Sequence, residues 1–90
     1  MKFTFDTTKD QTNFEKHGLS LKEATYLDWD EALNWVDDRN EYGEIRWVAL
    51  VPMQERLYCV VYVNLNQSRR IISLRKANLR EIHKYEEEIN

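Results

Sequence analysis

The sequence predicts an α+β fold: a small antiparallel sheet with helices on one side, in the order β-α-α-β-β-β-α. Three observations lead there. Helix start and stop signals gather in the first third of the chain. Three strand-like runs then follow one another, Ile45 to Val51, Leu57 to Asn64 and Arg69 to Arg75, separated by the turn segments "PMQER" and "LNQS". Asn78 with Glu81 forms a capping signal that opens one last helix.

Taken in order, Phe3 and Phe5 alternate in "KFTF" and read as a short first strand. Thr7 or Thr8 is placed to cap a helix running to about Lys16 with Phe14 facing inward, and His17-Gly18 supplies a basic last turn and a glycine stop. Ser20 and Glu23 form a second capping box, opening a helix through about Leu27 with Leu21, Ala24 and Leu27 in the core. The stretch "DWDEALNWVDDRNEYGE" fits either a helical turn or a strand around Leu33 to Val36, followed by a loop closing at Tyr42-Gly43. In the middle strand of the meander, period two puts Leu57, Cys59, Val61 and Val63 on a core face and Tyr58, Val60 and Tyr62 opposite. In the last strand it puts Ile72 and Leu74 with Arg70 and Lys76, leaving Ile71, Arg69, Ser73 and Arg75 on a more polar, open face. Leu79, Ile82 and Ile89 give the last helix an apolar stripe.

Ninety residues predict a single domain, residues 1–90. No apolar run reaches the ~20 residues of a membrane span, and the N-terminus has no apolar core of a secretory signal. The lone Cys59 allows no internal disulfide; it suits the reducing cytoplasm and reads as a small buried hydrophobe. The net charge is −3, but its distribution is uneven. Glu23 to Glu44 holds eight acids and one base, Arg39, whereas Arg69 to Arg80 holds five bases and no acid. Local potential, rather than net charge, governs the binding of a polyanion. One cysteine and two distant histidines make no zinc site, and there is no phosphate-binding glycine loop. No cofactor is expected.

Four segments together resemble the BrnT family of toxins from type II toxin–antitoxin pairs. They are Phe3, Phe5, Asp6 and Lys9; Asn13, Lys16, His17 and Gly18; Asp37, Arg39, Tyr42, Gly43, Glu44 and Arg46; and Arg70 to Ala77 with Glu81 and Tyr85. The chain departs from the family pattern at Phe5, where a tryptophan is usual, and in the "VPMQER" turn. The resemblance implies a RelE-like ribonuclease fold and metal-independent RNA cleavage that halts translation. It also implies a DNA-binding BrnA-like antitoxin, and a toxin–antitoxin heterotetramer that reaches operator DNA only through that antitoxin and represses its own operon.

Cleavage by the 2′-hydroxyl needs a base for that hydroxyl, cations for the charge on phosphorus and an acid for the leaving oxygen. Arginine suits the second task because its fork matches two phosphate oxygens and stays charged. Arg75 leads, followed by Arg46 and Arg70; the bland alternative is that these arginines snorkel over the core or pair with Glu81 and Glu44. His17 is either the general base or acid, or a last-turn histidine meeting the helix dipole. Lys76 and Glu81 are further catalytic candidates. Lys9, Arg39, Tyr42, Trp47 and Tyr85 are candidates for gripping RNA, Trp47, Tyr42 and Tyr62 by stacking on bases. Trp29 and Trp35, among acids, read as packing or antitoxin anchors, and Arg69 as a solvated strand end. A second reading, favoured by the acidic balance, is a catalytically idle binding module that serves only as antitoxin partner and co-repressor.

Overall fold

The computed structural model describes residues 1–89. Its elements are β1 (Lys2–Thr4), α1 (Thr7–His17), two 3₁₀ segments (Leu21–Tyr26 and Trp29–Glu31), β2 (Leu33–Asp37), β3 (Arg46–Met53), β4 (Arg56–Leu65), β5 (Ser68–Lys76) and α2 (Leu79–Ile89). The strands form one sheet in the order β1-β5-β4-β3-β2. β2 to β5 pair antiparallel, and β1 alone pairs parallel, with β5. The α+β class and the three-strand meander are as the sequence predicts. No helix of the described residues is long and apolar enough to cross a membrane.

α1 begins at Asp6, whose carboxylate accepts from the Thr8 and Lys9 amides at 2.8 and 3.0 Å, so the cap is one residue earlier than Thr7. It ends at Gly18, with φ 71° and its N–H on the Phe14 carbonyl, the glycine stop read from "HG". The inward residue is Asn13 and not Phe14, which is 59% exposed. β1 pairs with β5 only as far as Arg70. Beyond it, the Asn13 side-chain amide donates to the Leu74 carbonyl at 2.8 Å and accepts from the Leu74 amide at 3.0 Å. One buried side chain thus continues the ladder where the strand stops.

Four expectations need correction. The segment after Ser20 is a 3₁₀ turn and not an α-helix. Its buried residues Leu21, Ala24 and Leu27 recur every third position, the period at which 3₁₀ side chains stack on one side. The stretch from Leu33 to Asp37 is a full strand, adding an element to the predicted order. The helices are not confined to one side. α1 and the 3₁₀ segments cover the face carrying Ala49, Val51, Tyr58, Val60, Tyr62, Ile71 and Leu74. Tyr85 of α2 packs on the opposite face, against the cluster of Val48, Leu50 and Cys59. Both faces of the middle strand are therefore buried, and the main core is the Tyr58/Val60/Tyr62 side.

The fourth correction concerns β5. Ser73 pairs with Val61 and Ile71 with Tyr62, leaving Ile72 as an extra, bulged residue. The bulge flips side-chain parity. Ile71 and Leu74, three apart, lie in the same core, while Arg70, Ser73 and Arg75 share the other face. Arg69 is not solvated: its guanidinium lies over the Trp29 and Tyr62 rings at 4.8 and 4.7 Å. Trp29 stacks on Phe3 and donates to the Ala24 carbonyl, so it is a packing residue.

Candidate functional site

The second face of the sheet is only partly covered by α2, and its uncovered part is a groove of about 320 Å³. Val48, Cys59 and Val61 form an apolar floor. Asp37 and Arg39 at the end of β2 make one wall; Arg75 of β5 and Glu81 of α2 make the other. Cys59 is buried, and burial pushes its thiol up to about 11, which leaves it protonated and inert at neutral pH.

The wall at β5 is assembled by a helix cap. Asn78 accepts from the Glu81 amide at 2.8 Å, and Glu81 accepts from the Asn78 amide at 2.9 Å, the reciprocal capping box that the sequence predicts. The same Glu81 carboxylate takes Arg75 in a two-pronged bond of 2.9 and 2.8 Å. Arg75 holds the Glu81 carboxyl below the usual carboxylate range against the opposing pull of desolvation, and Glu81 in turn raises Arg75.

The opposite wall centres on Asp37, which is 6% exposed. It accepts from Arg39 at 2.8 and 2.9 Å and from the Tyr42 hydroxyl at 3.2 Å. The Arg39 hydrogen bond outweighs desolvation and brings the Asp37 carboxyl down to about 2. A third unit lies on the same face. Glu44 accepts from Arg70 at 2.7 Å and from Arg46 at 3.3 Å, while Arg46 lies 4.1 Å over the Tyr42 ring. Desolvation pulls the Glu44 carboxyl upward, but the bonds from Arg70 and Arg46 prevail and hold it below its ordinary value. Four guanidinium groups thus share one open sheet face, and each is fixed by a carboxylate.

Of the residues singled out from sequence, Arg75, Arg39 and Glu81 line this groove, and Arg46, Arg70 and Tyr42 form the third unit farther along the same face. His17 and Lys9 do not; both line a separate cleft between α1 and β5. Lys76 pairs with Tyr58 and points to the core face, where it is exposed. Trp47 is half-buried against the main core, and Tyr62 is 1% exposed, so neither offers a free ring. Tyr85 is half-buried, and its hydroxyl donates to the Glu31 carbonyl at 2.7 Å. Two further residues belong to the groove. Asp37 occupies the inward position after Leu33 and Trp35, an alternation that marks it once β2 is known to be a strand. Ser73, placed on the open face with Arg75 by period two, lines the groove, and it is Arg70 that reaches this face only because of the bulge at Ile72. Among the described residues, no three His, Cys, Asp or Glu side chains converge on a metal site.

Charge-assisted pairs around an apolar floor are suited to an anion with a flat organic body. Guanidinium forks receive the charged oxygens, and the floor receives an apolar surface. A family model described as "Ribonuclease toxin, BrnT, of type II toxin-antitoxin system" matches residues 5–81. No curated protein matches the chain.

Proposed function

The chain belongs to the BrnT family of ribonuclease toxins of type II toxin–antitoxin systems, and we propose that its arginine groove is where RNA is cleaved. The observation that carries this reading is the convergence of Arg39, Arg46, Arg70 and Arg75 on one open sheet face, each pre-oriented by an acid. In the reaction, the 2′-oxygen attacks the adjacent phosphorus, a 2′,3′-cyclic phosphate forms, and the 5′-oxygen leaves with a proton. Arg75 takes the leading role in holding charge on phosphorus, assisted by Arg46 and Arg70, with Arg39 at the far wall.

Glu81 is the carboxylate best placed to accept the 2′-hydroxyl proton. While Arg75 is bonded to it, its proton affinity is lowered and it is a weak base. A phosphate that draws Arg75 away removes that bond, so substrate binding itself restores the basicity of Glu81. Asp37 and Tyr42 are positioning residues, holding Arg39 and supporting Arg46. His17 and Lys76, outside the groove, take no proton step, and none is routed through a metal.

The biological reading follows the family. The toxin acts in the cytoplasm by cutting RNA and stopping translation. A BrnA-like antitoxin neutralises it in a heterotetramer, and the complex represses its operon through the antitoxin's contact with DNA. The test is expression of the chain without a partner beside Arg75→Ala. Growth arrest with RNA loss is expected, and a drop of about 10²–10³-fold in cleavage for the variant. Unhindered growth with intact RNA would favour an idle co-repressor instead.

A further inference from the structure

A second cleft adjoins the groove. It runs between α1 and β5 and is lined by Lys9, Thr12, Lys16, His17, Ile72 and Ser73. Ser73 lines both cavities, so the two meet across the bulged edge of β5. Lys9 and Lys16 are two helical turns apart, which puts them on one side of α1 about 10 Å from each other. Thr12 lies between them and His17 follows.

The electrostatic state of this strip is opposite to that of the groove. On the groove's face, Arg39, Arg46, Arg70 and Arg75 are each bonded to a carboxylate. Among the described residues, no ion pair involves Lys9, Lys16 or His17, and all three are exposed. Of the acids on α1, Asp6 caps the helix, and Asp10 accepts from the Ser20 hydroxyl and the Leu21 amide and holds the first 3₁₀ segment. Exposed Glu15 forms no ion pair among the described residues. Long lysines with no assigned geometry are poor at fixing a reacting phosphate but good at tracking a charged backbone in water. Guanidinium groups locked by acids have the reverse character.

We propose that the α1 strip is a subsite for the RNA phosphates that flank the scissile one, the strand crossing the edge of β5 at Ser73 and continuing along Lys9 and Lys16. The inference rests on the groove being the cleavage site. It assigns Lys16 and Thr12 to substrate binding and makes His17 a contact to the flanking strand. Substrate length, and not only sequence, then determines affinity: a dinucleotide fills the groove alone, and a longer single strand gains the strip.

Binding of 2′-O-methyl RNA, which lacks the attacking hydroxyl, separates this from the chemistry. A dodecamer and a dinucleotide are titrated by fluorescence anisotropy over a range of salt, with the wild-type chain, Lys9→Ala/Lys16→Ala and Lys9→Arg/Lys16→Arg. The expected result is dodecamer affinity at least about fivefold weaker in the alanine pair, with its salt slope reduced by about 1.4, two cations at ~0.7 each. The arginine pair retains wild-type affinity, and the dinucleotide does not distinguish the chains. Equal dodecamer affinity and slope in wild type and the alanine pair would overturn the subsite, as would failure of the wild type to bind the dodecamer. Failure of the nuclease reading looks different: the wild type leaves an unmodified dodecamer uncut.

Discussion

The two faces of the sheet are built from alternate residues of the same strands, yet they do different work. One carries Tyr58, Val60, Tyr62, Ile71 and Leu74, sealed under α1 and the 3₁₀ segments. The other carries Arg46, Arg70 and Arg75 with their acids, only partly roofed by α2. On the first face stability comes from area removed from water. On the second, ion pairs near solvent contribute little to stability but fix the direction of charge. With the groove as the proposed cleavage site, a residue's face predicts whether its loss affects folding or activity.

The sharpest break of that comparison is on the core face. Leu74→Ala is expected to cost about 2–5 kcal/mol in urea unfolding, because Leu74 is fully buried and its neighbours cannot collapse onto a strand held on both sides. Arg75→Ala should leave the urea midpoint nearly unmoved while cleavage falls as stated above; an equal loss of stability would dissolve the distinction between the faces. Asp37 is intermediate, being a buried acid in the groove wall. Its carboxyl is lowered from an ordinary 3.8 to about 2, so it stabilises the fold above pH ~4, and that contribution fades as pH falls towards 2. Asp37→Asn should lose about 1 kcal/mol at pH 7, discounted for the 71% exposed Arg39 side chain, and match the wild type near pH 2. A pH-independent deficit would mean that packing, not charge, holds this wall. An effect of similar size, about 1 kcal/mol from the lost cap, is expected for Asn78→Ala. Cleavage should fall with it, since Glu81 then holds Arg75 less firmly; unchanged cleavage would detach the cap from the site.

Much of this was legible where local chemistry is decisive. The "HG" stop of α1, the Asn78/Glu81 cap and the meander follow from residues acting on their immediate neighbours. What stayed hidden depended on tertiary partners. β2 is a polar edge strand whose alternation becomes visible only beside β3. The spacing of Leu21, Ala24 and Leu27 holds the 3₁₀ signal, whereas the Ser20/Glu23 pair points to an α-helix. In the fold Ser20 does cap, accepting from the Lys22 amide and donating to Asp10, but the turn it opens is 3₁₀. The bulge at Ile72 has no glycine to mark it, and it misled the reading of the site most. In a regular strand Arg70 and Arg75, five apart, would face opposite ways. One extra residue puts them on the same face.

The capping box that holds Glu81 has a thermal consequence. α2 buries none of its residues, so it belongs to the part of the molecule that opens first on warming. Its first turn is also the one that aims Arg75. Warming should therefore disarm the toxin before it melts: the sheet and its core persist while α2 frays and the arginine swings free. An activity-against-temperature curve should fall below the calorimetric midpoint and recover on cooling, giving a reversible loss of potency in a protein that is still largely folded.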